Sequence, residues 1–455
     1  MKILLATDAF YPMISGVVTS QMTLFRELEN MGHDVRILTL SNDNQEKFEN
    51  NIYFLKSIKI NIYPDARIKF KSCSKIISLI TEWSPDIIHT QTEFSVMVVA
   101  RKISNKLNIP MVHTYHTMYE DYTNFFIRSK KLNTEFVSQV VKQLLNKFSG
   151  VIAPSSKTTR TLLRYKVKTP IYTIPTGIDL KKFKQNVDIK ELNKLKDKYD
   201  LVGKKTLVYL GRISKEKNID ELIRFVSNNK PYFVDKRFII VGGGPFLKKL
   251  KELVDLDIRK IIKFTGMVSP GDVYKYYKLG DIFVTASTTE TQGLTYIEAM
   301  ASSIPVVCRQ DECVDELIQN NKNGFKYTDE ESFISSIKLI FSNDELYKNM
   351  CKESNNSANE YSSENFALKI LKAYKISIEE YNHEKEQDLE FNNLVHAMLV
   401  FSDIKKNIGG TLGYSRDKFS LRIIKLKDGS LQIEQYIKKK FIKLKNGIRV
   451  RKRER

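Results

Sequence analysis

The stretch from Thr285 to Ala301, TASTTETQGLTYIEAMA, decides the fold of this chain. The apolar run 282–284 before it predicts a short buried strand, and beyond Gly293 the apolar residues recur at helical spacing. Two carboxylates, Glu290 in the intervening loop and Glu298 in the helix, lie eight residues apart. Since a helix N-terminus attracts anions, the stretch predicts a site for a ligand with hydroxyls and phosphate, as a nucleotide sugar has. The alternative is a surface helix with two solvated glutamates.

The start of the predicted helix supplies the groups for the phosphate. Backbone N–H groups in the first turn of a helix have no partner within the helix, so they point towards a ligand in front of it. Gly293 has no side chain to obstruct a ligand that approaches the backbone. We therefore predict that Gln292, Gly293 and Leu294 bind phosphate oxygens.

The Glu-x7-Glu spacing between a late strand and its helix resembles the signature of the retaining GT-B glycosyltransferases of family 4. The resemblance implies that Glu290 contacts hydroxyls of the donor sugar and that Glu298 holds the nucleotide ribose. It also implies an α/β fold of the GT-B type, in which two Rossmann-like domains face a cleft. Further motifs agree with the family in order over about residues 1–380.

The rhythm of strands and helices predicts the domain boundaries. Strand and helix patterns alternate up to the charged stretch 181–205, which marks a boundary. In GT-B proteins a long helix after the second domain crosses back to the first. We predict an acceptor domain over 1–180, a nucleotide-sugar domain over 200–362, a crossover helix over 363–384 and a small basic β-rich appendage over 388–455.

Length and composition indicate a folded chain without a membrane span. The chain has 455 residues, of which 42% are hydrophobic, enough for two large cores. No apolar run approaches the roughly 18–20 residues that a spanning helix needs. The N-terminus, MKILLATDAF, lacks the layout of a signal peptide and predicts a first buried strand. The four cysteines form no Cys-x-x-Cys pair, which is typical of reduced thiols in a cytoplasmic protein.

The formal net charge of +21 predicts a polyanionic partner, either nucleic acid or an anionic membrane surface. Much of this charge is local, because residues 401–455 contain 17 Lys and Arg against 5 Asp and Glu. No helix-turn-helix, RNP or zinc signature accompanies it. We therefore expect no nucleic acid, and predict a cytoplasmic, peripheral protein on the inner face of the cell membrane.

A glycine loop near the N-terminus predicts a second anion site. Gly16 follows the predicted strand 2–7 and opens a helical pattern, as in phosphate-binding loops. Most such loops are only turns. The family has a glycine loop here, often with two glycines, and in this chain Ser15 replaces one of them.

His116 lies where the predicted strand beginning at Pro110 ends, which is the ligand-binding end of an α/β sheet. The surrounding His, Glu and Asp residues fit no zinc spacing, and a hydrogen-bonded loop histidine is the alternative. The run resembles one in family 4 enzymes that glycosylate diacylglycerol. That resemblance implies that His116 lies beside the donor sugar and that Glu120 and Asp121 face the acceptor.

The next segment combines aromatic and basic residues and continues into an amphipathic pattern. Such stretches bind anionic membranes, although a helix packed on the domain with a solvated basic face is the alternative. The residues predicted to contact the acceptor or the membrane are Phe125, Phe126, Arg128, Lys130 and Lys131.

The second domain contains the cationic part of the predicted donor site. Arg212 follows a buried strand and Lys217 comes five residues later, and both side chains suit a pyrophosphate. Ordinary surface bases are the alternative, and the family resemblance favours the site. Gly243 lies in a strand–glycine loop that lets a ligand approach the backbone. The stretch from Phe264 to Val268 resembles the strand whose backbone pairs with the nucleotide base, which implies that Val268 contacts the base.

The resemblance implies transfer of a hexose, glucose from UDP-glucose, onto diacylglycerol with retention at the anomeric carbon. His116 and Glu290 would hold the sugar, and the bases would take the place of a metal, so no cofactor is expected. Asp255-Leu-Asp257 looks like a metal motif but falls in a charged helical pattern, and we predict that it lies on the surface.

Two alternatives stay open at the level of the sequence. The same fold could act on another acceptor, namely a glycolipid that already bears a sugar, phosphatidylinositol or a soluble glycan. A basic nucleic-acid-binding protein is the more distant alternative.

Overall fold

The structure, a computed structural model, describes residues 1–13, 15–59, 67–69, 73–119 and 130–383. The predictions for the appendage and for five acceptor or membrane residues lie outside these ranges; the five are Glu120, Asp121, Phe125, Phe126 and Arg128.

The N-terminal half is built around a sheet that has eight strands within the described ranges. The strands of this half, including a small hairpin, are β1 (Lys2–Ala6), β2 (Asp34–Leu40), β3 (Lys47–Glu49), β4 (Ile52–Leu55), β5 (Ser57–Lys59), β6 (Arg67–Lys69), β7 (Ile87–Thr90), β8 (Met111–Thr114), β9 (Gly150–Ala153) and β10 (Ile171–Thr173). The order across the sheet is β10-β9-β8-β7-β1-β2-β4-β3, and neighbours are parallel except β3 with β4. Antiparallel β5 and β6 form the hairpin.

Helices cover both faces of this sheet, which is why its central strands are apolar almost throughout rather than alternating. Apolar residues on one face of β1, such as Leu4, belong to one core cluster, and those on the other face, such as Ile3 and Leu5, belong to a second. The helices are α1 (Gly16–Asn30), α2 (Ser74–Trp83), α3 (Ser95–Leu107), α4 (Lys130–Leu145) and α5 (Ser156–Arg164).

The C-terminal half is built around a second, entirely parallel sheet. Its strands are β11 (Thr206–Leu210), β12 (Arg237–Val241), β13 (Ile262–Gly266), β14 (Ile282–Thr285), β15 (Val306–Arg309) and β16 (Gly324–Tyr327). The order is β13-β12-β11-β14-β15-β16, so the chain reverses direction across the sheet between β11 and β14. Ligands of open α/β sheets bind at such a switch point, beyond the carboxyl ends of the strands.

The remaining helices flank this second sheet and connect it to the first. They are α6 (Leu180–Lys184), α7 (Ile189–Lys198), α8 (Ile219–Asn228), α9 (Lys230–Phe233), α10 (Leu247–Glu252), α11 (Val273–Tyr277), α12 (Leu294–Ala301), α13 (Glu330–Ser342), α14 (Asp344–Ala358) and α15 (Ser363–His383), with short 3-10 turns at Lys215–Lys217 and Asn359–Tyr361.

The long helix α15 returns to the first sheet. Its apolar residues Phe366, Ile370 and Tyr374 are buried in the same cluster as Ile3 of β1. The hydroxyl of Tyr374 lies 2.7 Å from Nδ1 of His89 in β7. The predicted fold class, an α/β chain with two Rossmann-like domains, is confirmed by this architecture.

Candidate active site

The two sheets approach each other through the first turns of two helices. Helix α1 begins at Gly16 after β1, and helix α12 begins at Leu294 after β14. A Cβ atom on Gly16 would lie 3.8 Å from Cδ1 of Leu294. Both predicted anion sites are therefore at the carboxyl ends of their strands and lie next to each other. Ser15, which replaces a family glycine, caps α1 by accepting a hydrogen bond from the Val18 N–H.

The turn before α12 has the conformation that its glycine requires. Gly293 has a φ of +79°, in the left-handed region, and a Cβ there would lie 2.6 Å from Cδ2 of the buried Tyr296. The helix begins at Leu294, so its first N–H groups have no intrahelical acceptor. The geometry is that of a backbone surface open to an anion.

Gln292 has a side-chain contact that the sequence does not predict. Its Nε2 donates to the Thr176 carbonyl at 2.8 Å, and its Oε1 accepts from the Thr176 N–H at 2.7 Å. Thr176 in turn lies 3.0 Å, between hydroxyl oxygens, from Ser20 of α1. The residue before the α12 turn thus connects the second domain to the first.

Glu290 and Lys217, predicted independently, form an ion pair. Lys217 Nζ lies 2.6 Å from Glu290 Oε1, and each side chain is 21% exposed. Burial by itself raises the pKa of Glu290, but the charge and hydrogen bond of Lys217 outweigh it, so that this pKa lies below its usual value. Glu290 is therefore a charged acceptor of hydrogen bonds that lies directly beside a cation.

Glu298, the second carboxylate of the motif, has a different environment. It is half-buried in α12, and the hydroxyl of Tyr277 donates to its Oε2 at 2.7 Å. Burial raises the pKa of Glu298 to about 7, although the Tyr277 hydrogen bond opposes this rise. One motif thus contains one firmly charged carboxylate and one that titrates near neutral pH.

Three loops at the carboxyl ends of β11, β12 and β13 are held together by backbone contacts. The Gly243 carbonyl accepts from the Ile213 N–H at 2.8 Å, and the Gly242 N–H donates to the Gly266 carbonyl at 3.0 Å. A Cβ on Gly242 would lie 1.9 Å from the Gly211 carbonyl oxygen. These loops contain Arg212, which is exposed, and Val268, which is half-buried.

His116 lies on the opposite wall, two residues beyond β8 in the first sheet. It is half-buried, and its Nε2 lies 2.8 Å from Oε1 of Gln91. Burial, followed by the proximity of His113, lowers the pKa of His116 to about 3, so the imidazole is neutral. Within the described ranges, His116 and Glu290 share no hydrogen bond, and they belong to different sheets.

Near His116 is a buried polar cluster that no sequence motif predicted. Glu93, which is 2% exposed, accepts from the Tyr119 hydroxyl at 2.7 Å and lies 3.2 Å from Nε2 of His113. His113 Nδ1 in turn lies 2.8 Å from the Thr90 hydroxyl. The sequence HTQTE at 89–93 carries the signal, because polar residues that directly follow a buried strand belong to the ligand end of the sheet.

Side chains at the start of α5 cross to the loop around Glu290. Lys157 Nζ lies 2.9 Å from both oxygens of Asp311 and 3.1 Å from the Thr288 carbonyl. The Ser155 hydroxyl donates to the Thr291 carbonyl. The first domain therefore supports the predicted sugar-binding loop directly.

The two remaining predictions concern the acidic tripeptide and the basic segment. The helix before Asp255 and Asp257 ends at Glu252, so placing the tripeptide in a helix was wrong, because a turn follows α10. Asp257 is exposed and lies 2.7 Å from Lys230 Nζ, as a surface residue would. Lys130 and Lys131 are the first residues of α4.

The described residues contain neither a cluster of metal ligands nor a membrane-spanning helix. No group of three or more His, Cys, Asp or Glu side chains among them could hold a metal ion. None of their helices combines the length and the apolar character needed to cross a membrane.

Two family descriptions match the chain, one for each half. Glycosyltransferase Family 4 matches residues 14–182, and Glycosyl transferases group 1 matches residues 193–357. Their boundary falls between the two sheets.

Two relatives are similar over most of their length. Alpha-monoglucosyldiacylglycerol synthase of Streptococcus pneumoniae is 36% identical, over 85% of this chain and 88% of the relative. The protein of the same name from Acholeplasma laidlawii is 33% identical, over 84% of this chain and 98% of the relative.

Solved structures share the architecture at lower identity. Anabaena HepE in complex with UDP-glucose has a TM-score of 0.65 at 17% identity, over 82% of this chain and 99% of that one. Sucrose-phosphate synthase from Thermosynechococcus elongatus has a TM-score of 0.62 at 18% identity, over 82% and 98%. The chain therefore belongs to glycosyltransferase family 4 and has the GT-B fold.

Proposed function

We propose that this enzyme transfers glucose from UDP-glucose to diacylglycerol, with retention, at an anionic membrane surface. The observation that carries the proposal is the Glu290–Lys217 pair in front of the α12 N-terminus. It combines a hydroxyl acceptor, a cation and open backbone N–H groups, which are the three things that a sugar linked to a pyrophosphate needs.

The chemistry follows from where charge develops. As the glycosidic bond breaks, the leaving UDP gains negative charge and the sugar becomes oxocarbenium-like. Lys217, Arg212 and the helix N-termini stabilise the charge on the phosphate. The acceptor hydroxyl attacks from the face that UDP leaves, and its proton passes to a phosphate oxygen. Glu290 and His116 hold the sugar during this step.

The acceptor is proposed from the relatives. Both named relatives are synthases of monoglucosyldiacylglycerol, and the match to each of them covers at least 84% of this chain. A lipid acceptor stays in the bilayer, so the enzyme must bind the membrane surface. The basic residues 401–455 and the segment around Phe125, both outside the described ranges, are the proposed contacts.

The test is a transfer assay with the full chain. Radiolabelled UDP-glucose, UDP-galactose and GDP-mannose are each offered with diacylglycerol, monoglucosyldiacylglycerol, phosphatidylinositol or a soluble glycan, in mixed anionic vesicles. We expect label from UDP-glucose on diacylglycerol, and an α-anomeric product by NMR. Transfer to another acceptor alone would replace the acceptor proposal, and a β-product would contradict retention.

The first prediction concerns Glu298 and UDP affinity. Glu298→Ala should weaken UDP binding by roughly 10- to 100-fold, since losing a charge-assisted hydrogen bond costs about 1.5–3 kcal/mol. Burial raises the pKa of this carboxyl to about 7, so acid protonates it and removes acceptors for ribose hydroxyls. Wild-type affinity should therefore fall as the pH is lowered through 7. Calorimetry at pH 6 and 8 measures both effects.

The control for this prediction is Glu298→Gln, which keeps the shape but does not titrate. A terminal phosphate also titrates, at about pH 6, so the variant shows how much of the pH dependence belongs to UDP itself. The exposed Glu331→Gln should behave as wild type. Identical pH dependence in wild type and Glu298→Gln would remove Glu298 from the ribose site.

The second prediction concerns metal dependence. Transfer should continue at the wild-type rate in excess EDTA, because Arg212 and Lys217 supply the positive charge that a cation supplies elsewhere. The measurement is the initial rate before and after dialysis against chelator, with and without added Mn²⁺. Complete loss in EDTA, restored by Mn²⁺, would contradict metal-independent transfer.

The third prediction concerns membrane binding. Truncation after Glu384 should reduce flotation with anionic vesicles while UDP affinity stays near normal, because the basic residues that are removed follow α15. Each Lys or Arg near an anionic surface contributes about 1 kcal/mol, and salt screens this attraction. Neutral vesicles and high salt are the controls. Equal flotation of both proteins on both vesicle types would leave the charge of this segment without a role at the membrane.

A further inference from the structure

The side chain of Gln91 contacts His116 at the predicted sugar-binding wall. Gln91 directly follows β7, and its backbone N–H donates to the Ala6 carbonyl at 2.8 Å, which extends the ladder with β1. Its side chain is 2% exposed, and Oε1 lies 2.8 Å from Nε2 of His116, beyond the end of the neighbouring strand β8. Two adjacent strands of a parallel sheet therefore fix both groups.

The NH₂ group of the Gln91 amide makes no stabilising hydrogen bond within the described ranges. Its Nε2 is buried there without a hydrogen-bond partner. A buried polar group without a partner is unfavourable, so an apolar side chain of similar size would serve packing better. The bond to His116 is thus the reason that the described structure gives for a glutamine at this position.

The hydrogen bond determines which imidazole nitrogen carries the proton. An amide oxygen can only accept, so Nε2 of His116 is the protonated nitrogen and Nδ1 presents a lone pair. The titratable groups packed nearby are His89 on β7, His113 on β8, and Glu93 and Tyr119 beyond these strands. Glu93 bonds to His113 and Tyr119 rather than to His116, which leaves Gln91 to orient the imidazole.

We propose that Gln91 is a positioning residue that holds His116 as the Nε2–H tautomer, so that Nδ1 accepts a hydrogen bond from a hydroxyl of the transferred sugar. This inference rests on the proposed function in one respect, that His116 contacts the sugar. The new element is the direction of the hydrogen bond between them: the sugar hydroxyl donates and Nδ1 of His116 accepts. A donor sugar without a hydroxyl at that position would lose the contact.

Gln91→Glu is the informative variant, because its effect depends on pH. At alkaline pH a carboxylate in place of the amide still accepts from Nε2–H, so turnover should be near wild type. A negative charge beside an imidazole raises its pKa. In acid the imidazole beside this carboxylate gains a proton, so both of its nitrogens carry hydrogen and Nδ1 becomes a donor. Turnover should therefore fall about tenfold below roughly pH 6.

Gln91→Leu fills the space without an acceptor and should lose about tenfold in turnover at every pH. UDP affinity should stay at the wild-type value in both variants, because UDP lacks the transferred hexose that would contact His116. Gln319→Glu, an exposed substitution of the same kind, should leave the pH profile unchanged. If Gln91 only filled space, Gln91→Leu would keep the wild-type turnover.

A second measurement reads the tautomer in the wild-type protein and does not depend on catalysis. Two-bond ¹⁵N–¹H NMR of histidine-labelled wild-type protein reports the tautomer of each of the six histidines, and His116→Gln identifies the relevant signal. We expect the Nε2–H tautomer at pH 7, and a shift of Nδ1 on adding UDP-glucose but not UDP. An Nδ1–H tautomer, or a Gln91→Glu profile that parallels wild type, would overturn the proposal. Absence of transfer by the wild type would instead overturn the proposed function, and the tautomer would still be measured.

Discussion

Replacing Glu290 with alanine is expected to reduce turnover by about 100-fold, while UDP affinity changes little. The carboxylate is charged, and it lies 2.6 Å from Lys217 Nζ with 21% of its side chain exposed. The substitution removes the proposed acceptor for the sugar hydroxyls and leaves the Lys217 ammonium without this partner. A charge-assisted hydrogen bond contributes about 1.5–3 kcal/mol, and a 100-fold change in rate corresponds to about 2.7 kcal/mol.

The measurement is kcat with saturating donor, accompanied by calorimetric titration of UDP. Lys217→Met should also be impaired, and the double variant should lose less than the two single losses combined, because the groups act as a pair. Glu331→Ala, on the exposed surface of α13, is the matched control. Wild-type turnover in Glu290→Ala would show that the sugar binds elsewhere.

Gly242→Ala is expected to abolish donor binding or to unfold the second domain. A Cβ at this position would lie 1.9 Å from the Gly211 carbonyl oxygen, and the φ of +135° is itself unfavourable for alanine. The atom that it meets belongs to the backbone, so no rotamer change can relieve the overlap. The β11 and β12 loops would have to separate, and these loops contain Arg212 and Gly243.

Gly203→Ala is the control for Gly242→Ala. Gly203 also has a positive φ, +68°, but nothing lies within 4 Å of its Cβ position. Its substitution should cost only the conformational strain, about 1–2 kcal/mol. Thermal unfolding and UDP titration of both variants separate the effect of the overlap from that of the strain. Equal stability and equal UDP affinity in the two variants would contradict the expected clash.

The Glu-x7-Glu stretch predicted much of the fold and part of the site. Local patterns placed β14, the polar loop and α12 correctly, because each depends on residues near in sequence. The pairing of Glu290 with Lys217, 73 positions apart, follows from two motifs at the ends of neighbouring strands. The residue roles taken from the family stay predictions.

Other parts of the site could not be predicted, for a physical reason. The bonds from Gln292 to Thr176 and from Gln91 to His116 join residues that no local pattern relates. No spacing pattern in the sequence distinguishes the glutamine at either position. The role of its amide can be assigned only when the hydrogen-bond partner is known. The turn at Asp255 was placed in a helix because its charged neighbours resemble the preceding helical residues.

The paired bonds between Gln292 and Thr176 make the mobility of the cleft measurable. Any movement that separates the domains must break both bonds, and it would also uncover the buried N–H of Thr176. Because Gln292 immediately precedes the predicted phosphate-binding turn, we expect separation to loosen that turn as well. If only the closed form binds the donor, the apparent affinity equals the affinity of the closed form multiplied by the fraction of molecules that are closed. The Thr176 amide proton exchanges with solvent from the open form. Its hydrogen-exchange rate therefore reports how often the domains separate.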